Sequence, residues 1–211
     1  MRSCSARGSS ASRSRAELGP ALAAVLLDAE QAAQLEVHGK VNAAVLVPLY
    51  LDAEGALHAV FTRRRDDLRR HAGEISFPGG RADEGEGMIA TALREAHEEI
   101  GLPAEDVEVL GALQPTPTIA TNYAVYPFVG LIDAGREWTL SPREVDAVLE
   151  LSIADLRAGY ERRRMLRRGV PFRTDTYVVG EDLIWGATAR ILTDLLIRLE
   201  TLDQPQGGLT P

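Results

Sequence analysis

The sequence predicts an α/β fold in which a mixed β-sheet is combined with helices. Two observations support it: β-branched, apolar runs typical of strands occur along much of the 211-residue chain, and two segments carry apolar residues at helical spacing. Proline-containing loops separate the later strands, so we expect the sheet to be interrupted. The length suits one full-sized domain with a substantial core.

The N-terminal half contains the first helix and the first strands. Residues 16–35 are rich in Ala and Leu and predict a helix that breaks near Pro20. Residues 41–50 and 57–62 are apolar runs around a turn and predict a β-hairpin. A short extended piece, residues 75–77, should then end at the tight turn Pro78-Gly79-Gly80.

The best-marked element is a helix over Glu86–Ile100, because Gly101 and Pro103 supply the usual stop. Later apolar runs predict three strands at 107–113, 125–132 and 145–151, a hairpin of 177–179 with 183–185, and an amphipathic helix at 187–199.

Residues 16–200 are therefore predicted to form a single domain. A Ser/Arg-rich leader, residues 1–15, and a Gly/Pro/Gln-rich tail, residues 201–211, are both expected to be disordered. The leader resembles a transit peptide only superficially.

Charge and apolar content limit the partners. The formal net charge of -8 argues against a general nucleic-acid binder, since backbone affinity needs surplus Lys and Arg. The longest apolar stretches are shorter than the roughly 20 residues that span a bilayer, so we expect no membrane partner. The only cysteine, Cys4, leaves no internal disulfide and favours a reducing cytoplasm. A homodimer is compatible with the sequence, which does not settle the oligomeric state.

Three acidic residues on the predicted helix carry the chemistry. At about 100° per residue, Glu95, Glu98 and Glu99 fall within roughly 100° of one another, at the edge of an apolar arc. Like charges four residues apart destabilise a helix, and partial burial adds to the cost. A hard divalent cation such as Mg²⁺ or Mn²⁺ would relieve this repulsion and could activate a water. The alternative is a solvated helix face balanced by Arg94.

The spacing favours the metal interpretation, because the segment resembles the Nudix hydrolase signature. Its fixed positions are filled by Gly80, Glu86, Arg94, Glu95, Glu98, Glu99 and Gly101, and its apolar positions by Ala96 and Leu102. The resemblance implies an α/β/α sandwich around a mixed sheet.

The resemblance also implies roles for individual residues. Glu95, Glu98 and Glu99 would be metal ligands, Arg94 would orient the carboxylates, and Glu98 is a candidate general base. Because some members use an acid outside the signature, Glu144 is a second candidate for that role. Glu86 would help to fix the loop before the helix.

The preceding segment resembles the additional motif of the coenzyme A pyrophosphatase branch. Thr62, Arg64, Arg69, Gly73 and the run Phe77–Gly80 hold their places, whereas Arg65 replaces a small residue. Residues 184–192 also resemble the closing helix of that branch.

Arg64 and Arg69 are the predicted substrate contacts, since Arg binds phosphates bidentately. The alternative is that they are surface arginines paired with Asp66 and Asp67. For the run Arg162–Arg168 a solvated loop is favoured over a phosphate site, and for His71 a surface or positioning role is favoured over acid–base work. Tyr123 and Tyr126 could stack on adenine or pack in the core.

The predicted function is metal-dependent hydrolysis of coenzyme A or its thioesters to 3′,5′-ADP and (acyl-)4′-phosphopantetheine. Hydrolysis of ADP-ribose, a dinucleotide or a nucleoside triphosphate by the same site is the first alternative. The second is a Nudix-like module that binds a nucleotide without cleaving it; the intact Glu95, Glu98 and Glu99 argue against it.

Overall fold

The computed structural model describes residues 14–65, 73–118, 122–167 and 170–203. Within these segments, helices cover both faces of an eight-stranded sheet, and a three-stranded antiparallel sheet lies beside it. The large sheet is mixed: its central strand pairs in parallel with one neighbour and antiparallel with two others. The predicted α/β sandwich with a mixed sheet is confirmed.

The strands divide between the two sheets as follows. In the described residues the large sheet contains β1 (Val41–Leu51), β2 (Leu57–Arg64), β3 (Ile75–Ser76), β4 (Gly79–Arg81), β5 (Glu108–Ala112), β6 (Thr116–Pro117), β7 (Tyr123–Leu131) and β8 (Val145–Ser152). The small sheet contains β9 (Tyr160–Arg167), β10 (Val170–Val179) and β11 (Asp182–Ile184). Strand β1 is the central one, paired with β2, β4 and β7.

The helices form two layers. They are α1 (Arg15–Val25), α2 (Ala29–Ala33), α3 (Met88–Ile100), α4 (Ile153–Ala158) and α5 (Gly186–Asp203), with a short 3-10 turn at Ala104–Asp106. Alternate residues of β1 serve both layers, since Leu46 packs with α2 and α3 while Leu49 packs with α1, α4 and α5. No helix in the described part of the chain is long and apolar enough to cross a membrane.

The prediction of a helix break at Pro20 is wrong. Helix α1 runs through Pro20, which removes one backbone hydrogen bond, while Leu18 and Leu22 stay buried in the core. The chain leaves the helix at Leu26 instead, because Leu27 exchanges two backbone hydrogen bonds of 2.9 Å with Ala112.

The small sheet corrects a second expectation. The Arg162–Arg164 run, predicted to be a loop, lies on β9, whose residues pair in register with β10. Arg162, Arg163 and Arg164 are all exposed, so the strand shows no apolar alternation that could have revealed it. Helix α4 was not predicted either. The hairpin of β10 and β11 is confirmed, although β10 starts earlier than expected.

The first and last helices extend slightly beyond the predicted bounds of the domain. Helix α1 begins at Arg15, and the Glu17 carboxylate accepts a 2.9 Å hydrogen bond from the backbone N–H of Ser14, inside the predicted leader. Helix α5 continues to Asp203, three residues into the predicted tail.

Helix α3 is fixed by its apolar side and by its C-terminal glycine. Ala92, Ala96 and Ile100 are fully buried against the sheet. Gly101 then adopts a left-handed conformation with φ +70°, which ends the helix at the predicted place. The helix starts at Met88, two residues later than predicted.

Replacing Gly101 by alanine should destabilise the protein more than the same change at Gly135. Both glycines are left-handed, with φ +70° and +74°, and each change costs about 1–2 kcal/mol for that reason. At Gly101 the added Cβ would also lie 2.8 Å from Thr139 Cβ, whereas nothing lies within 4 Å at Gly135. Denaturant unfolding should show the larger loss for Gly101→Ala; equal losses would contradict the crowding argument.

Candidate active site

A glycine turn brings the backbone against helix α3. The turn joins β3 to β4, and it is anchored by the Leu46 N–H, which donates to the Pro78 carbonyl oxygen at 2.9 Å. A Cβ at Gly79 would collide with the backbone of Ala44. A Cβ at Gly80 would lie 2.5 Å from the carboxylate carbon of Glu95. Only glycines therefore allow the turn to lie this close to both β1 and α3.

Glu99 is the most buried acid of the cluster, with 4% of its surface exposed. Its Oε2 accepts a 3.1 Å hydrogen bond from the Gly79 N–H, and its Oε1 lies 3.8 Å from Arg64 Nη1. Burial raises the pKa of Glu99 to about 7, with the charges of Glu95 and Glu144 adding to the rise and the Gly79 and Arg64 contacts opposing it. This carboxylate is poorly compensated by the protein alone.

Arg94 ties the helix to the loop before it. Its Nε and Nη2 donate to the two carboxylate oxygens of Glu86 at 2.8 and 3.0 Å, and its Nη2 also donates to the Arg81 carbonyl oxygen at 3.1 Å. Its Nη1 donates to Glu95 at 2.9 Å and to Glu98 at 3.1 Å. The Arg94 hydrogen bonds lower the pKa of Glu86 to about 2, and Glu86 in turn raises the pKa of Arg94.

Glu95 and Glu98 differ in environment although they share Arg94. Burial raises the pKa of Glu95, the Arg94 contact opposes the rise, and the charges of Glu98 and Glu144 add to it. The Glu98 side chain is 58% exposed, so it faces solvent at the edge of the cluster. The structure therefore gives one part-buried and one accessible carboxylate beside the same guanidinium.

Glu144 reaches the cluster from the large sheet. Strand β8 carries an extra residue, Asp146, opposite the Arg63/Arg64 step of β2, and this register shift brings the start of β8 toward the end of β2. The Glu144 carbonyl oxygen accepts a 3.1 Å hydrogen bond from the Arg65 N–H. Its carboxylate lies 3.9 Å from Arg64 Nη2.

Six of the seven predicted site residues thus lie in one connected group, namely Arg64, Arg94, Glu95, Glu98, Glu99 and Glu144. Arg69 and His71 lie outside the described residues. Tyr126 is buried and its hydroxyl donates to the Leu35 carbonyl oxygen at 2.7 Å, while Tyr123 packs against the core, so both have packing roles.

The acids of α3 have the oxygen donors that a divalent cation requires, but their side chains do not converge on one point. Across the described segments, no three His, Cys, Asp or Glu side chains converge as a ready-made metal site. Arg94 stands between Glu95 and Glu98, where it relieves the repulsion predicted from the sequence. For Glu99 the nearest guanidinium of the described residues, that of Arg64, is 3.8 Å away. The desolvated oxygens of Glu95 and Glu99 are donors that hard cations prefer.

Sequence reasoning missed several supporting groups. The Gly79 N–H is one, and the buried Thr91 hydroxyl, which donates to Glu86 at 2.8 Å, is another. Lys40, Asn42 and Arg81 line a polar cavity of about 270 Å³ next to Glu86. Lys40 is the only lysine of the chain, which is the one signal that could have drawn attention to it.

A family model described as the NUDIX domain matches residues 40–169 of the chain. Proteins described as uncharacterized Nudix hydrolase NudL, from Salmonella newport and Salmonella agona, are 39% identical over 161 residues. These alignments cover 75% of this chain and 82% of the relatives.

Two solved structures share the fold. The Nudix hydrolase RenU from M. smegmatis has a TM-score of 0.51 at 16% identity, covering 86% of this chain and 97% of its own. The NUDIX domain of Shewanella oneidensis NrtR, crystallised with ADP ribose, has a TM-score of 0.51 at 14% identity, covering 83% and 97%.

Glu99→Gln should change how stability depends on pH when a chelator removes divalent cations. The folded pKa of Glu99, about 7, lies above its ordinary 4.5, so the folded state holds an extra proton between these values. Stability due to this group is therefore present at low pH and is lost as pH rises through that window. Between about pH 5 and about pH 8 the wild type should lose on the order of 1–3 kcal/mol relative to Glu99→Gln.

Urea unfolding at a series of pH values measures this difference. The accessible Glu98→Gln is the matched control and should follow the wild-type profile. Parallel stability profiles for the wild type and Glu99→Gln would show that burial does not raise the pKa of Glu99.

Proposed function

Because this chain belongs to the Nudix family and is a Nudix hydrolase of nucleoside diphosphate compounds, we propose that it hydrolyses coenzyme A or its thioesters. The bond cleaved is the pyrophosphate, and the products are 3′,5′-ADP and (acyl-)4′-phosphopantetheine. The family supports the reaction class, and the substrate is argued from Arg64 and the segment around it.

The position of Arg64 carries the substrate proposal. Its guanidinium lies beside the acids of α3 and β8, but both nearest carboxylates are beyond hydrogen-bond distance, at 3.8 and 3.9 Å. Within the described residues, its buried Nε has no hydrogen-bond partner. Because neither carboxylate holds Nη1 or Nη2 by a hydrogen bond, these two groups could donate to a substrate phosphate.

The segment around Arg64 supports the coenzyme A branch. The motif positions are kept by Thr62, Gly73 and Phe77–Gly80. Of these, Gly79 and Gly80 form the turn that lies against α3. Arg65, which replaces a small residue, donates through Nη1 to the Pro142 carbonyl oxygen at 2.8 Å. This contact gives Arg65 a structural use that does not require it to touch substrate.

Glu95, Glu98 and Glu99 would hold the divalent cation, Mg²⁺ or Mn²⁺. When bound, such an ion neutralises pyrophosphate charge and lowers the pKa of a coordinated water. The protein groups do the remaining work. Arg94 holds Glu95 and Glu98 in place, and Glu98, exposed at the edge of the cluster, is the proposed general base.

Glu144, which reaches the cluster from the segment just before β8, is the second proposed base. Its half-exposed carboxylate lies beside Arg64, so it would stand near a phosphate bound there. The two candidates are positioned differently. Glu98 accepts a hydrogen bond from Arg94, whereas Glu144 is placed by the backbone directly before β8.

Coenzyme A should be the preferred substrate when turnover is compared with ADP-ribose, a dinucleotide and ATP, in Mg²⁺ and in Mn²⁺. We expect kcat/KM at least roughly tenfold higher for coenzyme A or an acyl thioester, since its ribose 3′-phosphate, which ADP-ribose and ATP lack, would add a charged contact that contributes about 1.4 kcal/mol or more. Mass spectrometry of the products identifies the bond cleaved. Equal or lower kcat/KM for coenzyme A would remove the substrate assignment and leave the reaction class intact.

Glu98→Gln should lower kcat by about 10²–10⁴-fold, because the amide cannot accept the proton of water. Its exposed side chain predicts an unchanged melting temperature. Glu105→Gln, an exposed acid outside the cluster, is the control and should keep full activity. Full activity of Glu98→Gln together with a large loss in Glu144→Gln would transfer the base to Glu144.

A further inference from the structure

Two neighbouring arginines leave β2 on opposite faces of the large sheet. Along β2, Phe61 packs in the layer of α1 and α5, while Val60 packs in the layer of α3. Following this alternation, Arg63 reaches Asp182 of β11, and Arg64 reaches Glu99 of α3. Arg63 and Arg64 are neighbours on one strand. The backbone orientation that allows Arg63 to pair with Asp182 therefore also sets the direction in which the Arg64 side chain points.

The Arg63–Asp182 ion pair joins the two sheets beside the candidate active site. Arg63 Nη2 donates to Asp182 Oδ1, and both side chains are part-buried, at 34% and 18% exposure. In register, Arg63 lies opposite Ile75 of β3, the strand that leads into the glycine turn. The pair therefore lies next to Arg64 along β2, and across from the strand that leads into the turn at Gly79.

Arg64 is fixed by its backbone more than by its side chain: its N–H donates to the Glu74 carbonyl oxygen at 3.0 Å, and its carbonyl oxygen accepts from the Gly73 N–H at 3.1 Å. It is the last residue of β2 and lies at the step where the pairing with β8 shifts register, and such shifts loosen the local ladder. Its guanidinium lies 3.8 and 3.9 Å from its two carboxylate partners, so neither holds it by a hydrogen bond.

We propose that Asp182 is a positioning residue for substrate binding, which acts through Arg63 to fix the end of β2 and thereby aim Arg64 at the substrate diphosphate. The inference rests on the proposed role of Arg64 in binding that group. Arg63 is not among the residues that fill the family motif, so the motif does not account for the pair.

The alternative is that the pair only stabilises the contact between the sheets. Partly exposed ion pairs contribute little to folding, so Asp182→Asn should leave the melting temperature nearly unchanged. Any large effect on the KM for substrate would then be separable from stability.

The test is a double-mutant cycle on KM, measured with the most efficiently hydrolysed diphosphate of the substrate panel. Arg64→Ala should raise KM at least roughly tenfold, as expected for the loss of a charged phosphate contact. Asp182→Asn should raise KM about 3- to 10-fold with kcat changed less than about twofold, because ground-state binding is affected. The double variant should be no worse than Arg64→Ala alone.

Two further variants complete the cycle. The charge swap, Arg63→Asp with Asp182→Arg, should restore KM to within about twofold of wild type, since it re-forms the pair in reverse. Asp133→Asn breaks a similar pair, Arg15–Asp133 at 2.9 Å, away from the candidate site and should leave KM unchanged.

The outcomes separate the two proposals. If Arg64→Ala raises KM and Asp182→Asn does not, the positioning role is wrong and the role of Arg64 stands. Additive effects in the double variant would also overturn it, because Asp182 would then act by another route. If Arg64→Ala leaves KM unchanged, the proposed role of Arg64 fails and the inference fails with it.

Discussion

The burial of the Glu99 carboxylate beneath the glycine turn is the constraint on which the site depends. A carboxylate with 4% exposure is costly unless it is paired, and here one backbone N–H and one distant guanidinium are its described partners. Glycines at positions 79 and 80 make this contact sterically possible, because a Cβ at either would meet β1 or Glu95. The positions of the turn, α3 and β1 therefore depend on one another, and a substitution that moves one of them should displace the other two.

Much of the fold follows from local signals that agree with the global arrangement. Helix α3 could be predicted because its apolar residues recur at helical spacing and Gly101 ends it, and β1 and β7 because they are long apolar runs. The errors occur where local and tertiary signals differ. Pro20 is tolerated because Leu18 and Leu22 are buried on either side of it, and β9 escapes notice because its arginines are exposed on both faces.

The sequence predicts that the three acids of α3 lie together, but it does not predict their environments. Helical angles place Glu95, Glu98 and Glu99 on one edge, yet they cannot show that Glu99 is buried while Glu98 is exposed. The repulsion argument was also incomplete, since Arg94 already separates Glu95 from Glu98. Contacts such as Gly79 to Glu99 and Arg64 to Glu144 join distant parts of the chain, so sequence periodicity carries no trace of them.

The two arginines of the site differ in what they leave free. Arg94 donates through Nε and both Nη atoms to three carboxylates and a carbonyl oxygen, so it is committed to holding the helix and its loop. Arg64 has two nearby carboxylates, neither at hydrogen-bond distance, and a buried Nε that has no partner in the part of the chain that the structure describes. A guanidinium that is pre-positioned but not satisfied binds an anion with little reorganisation. The acids proposed to hold a cation also lie beside Arg64, so the proposed site would present two positive charges, the cation and the guanidinium, to the substrate diphosphate.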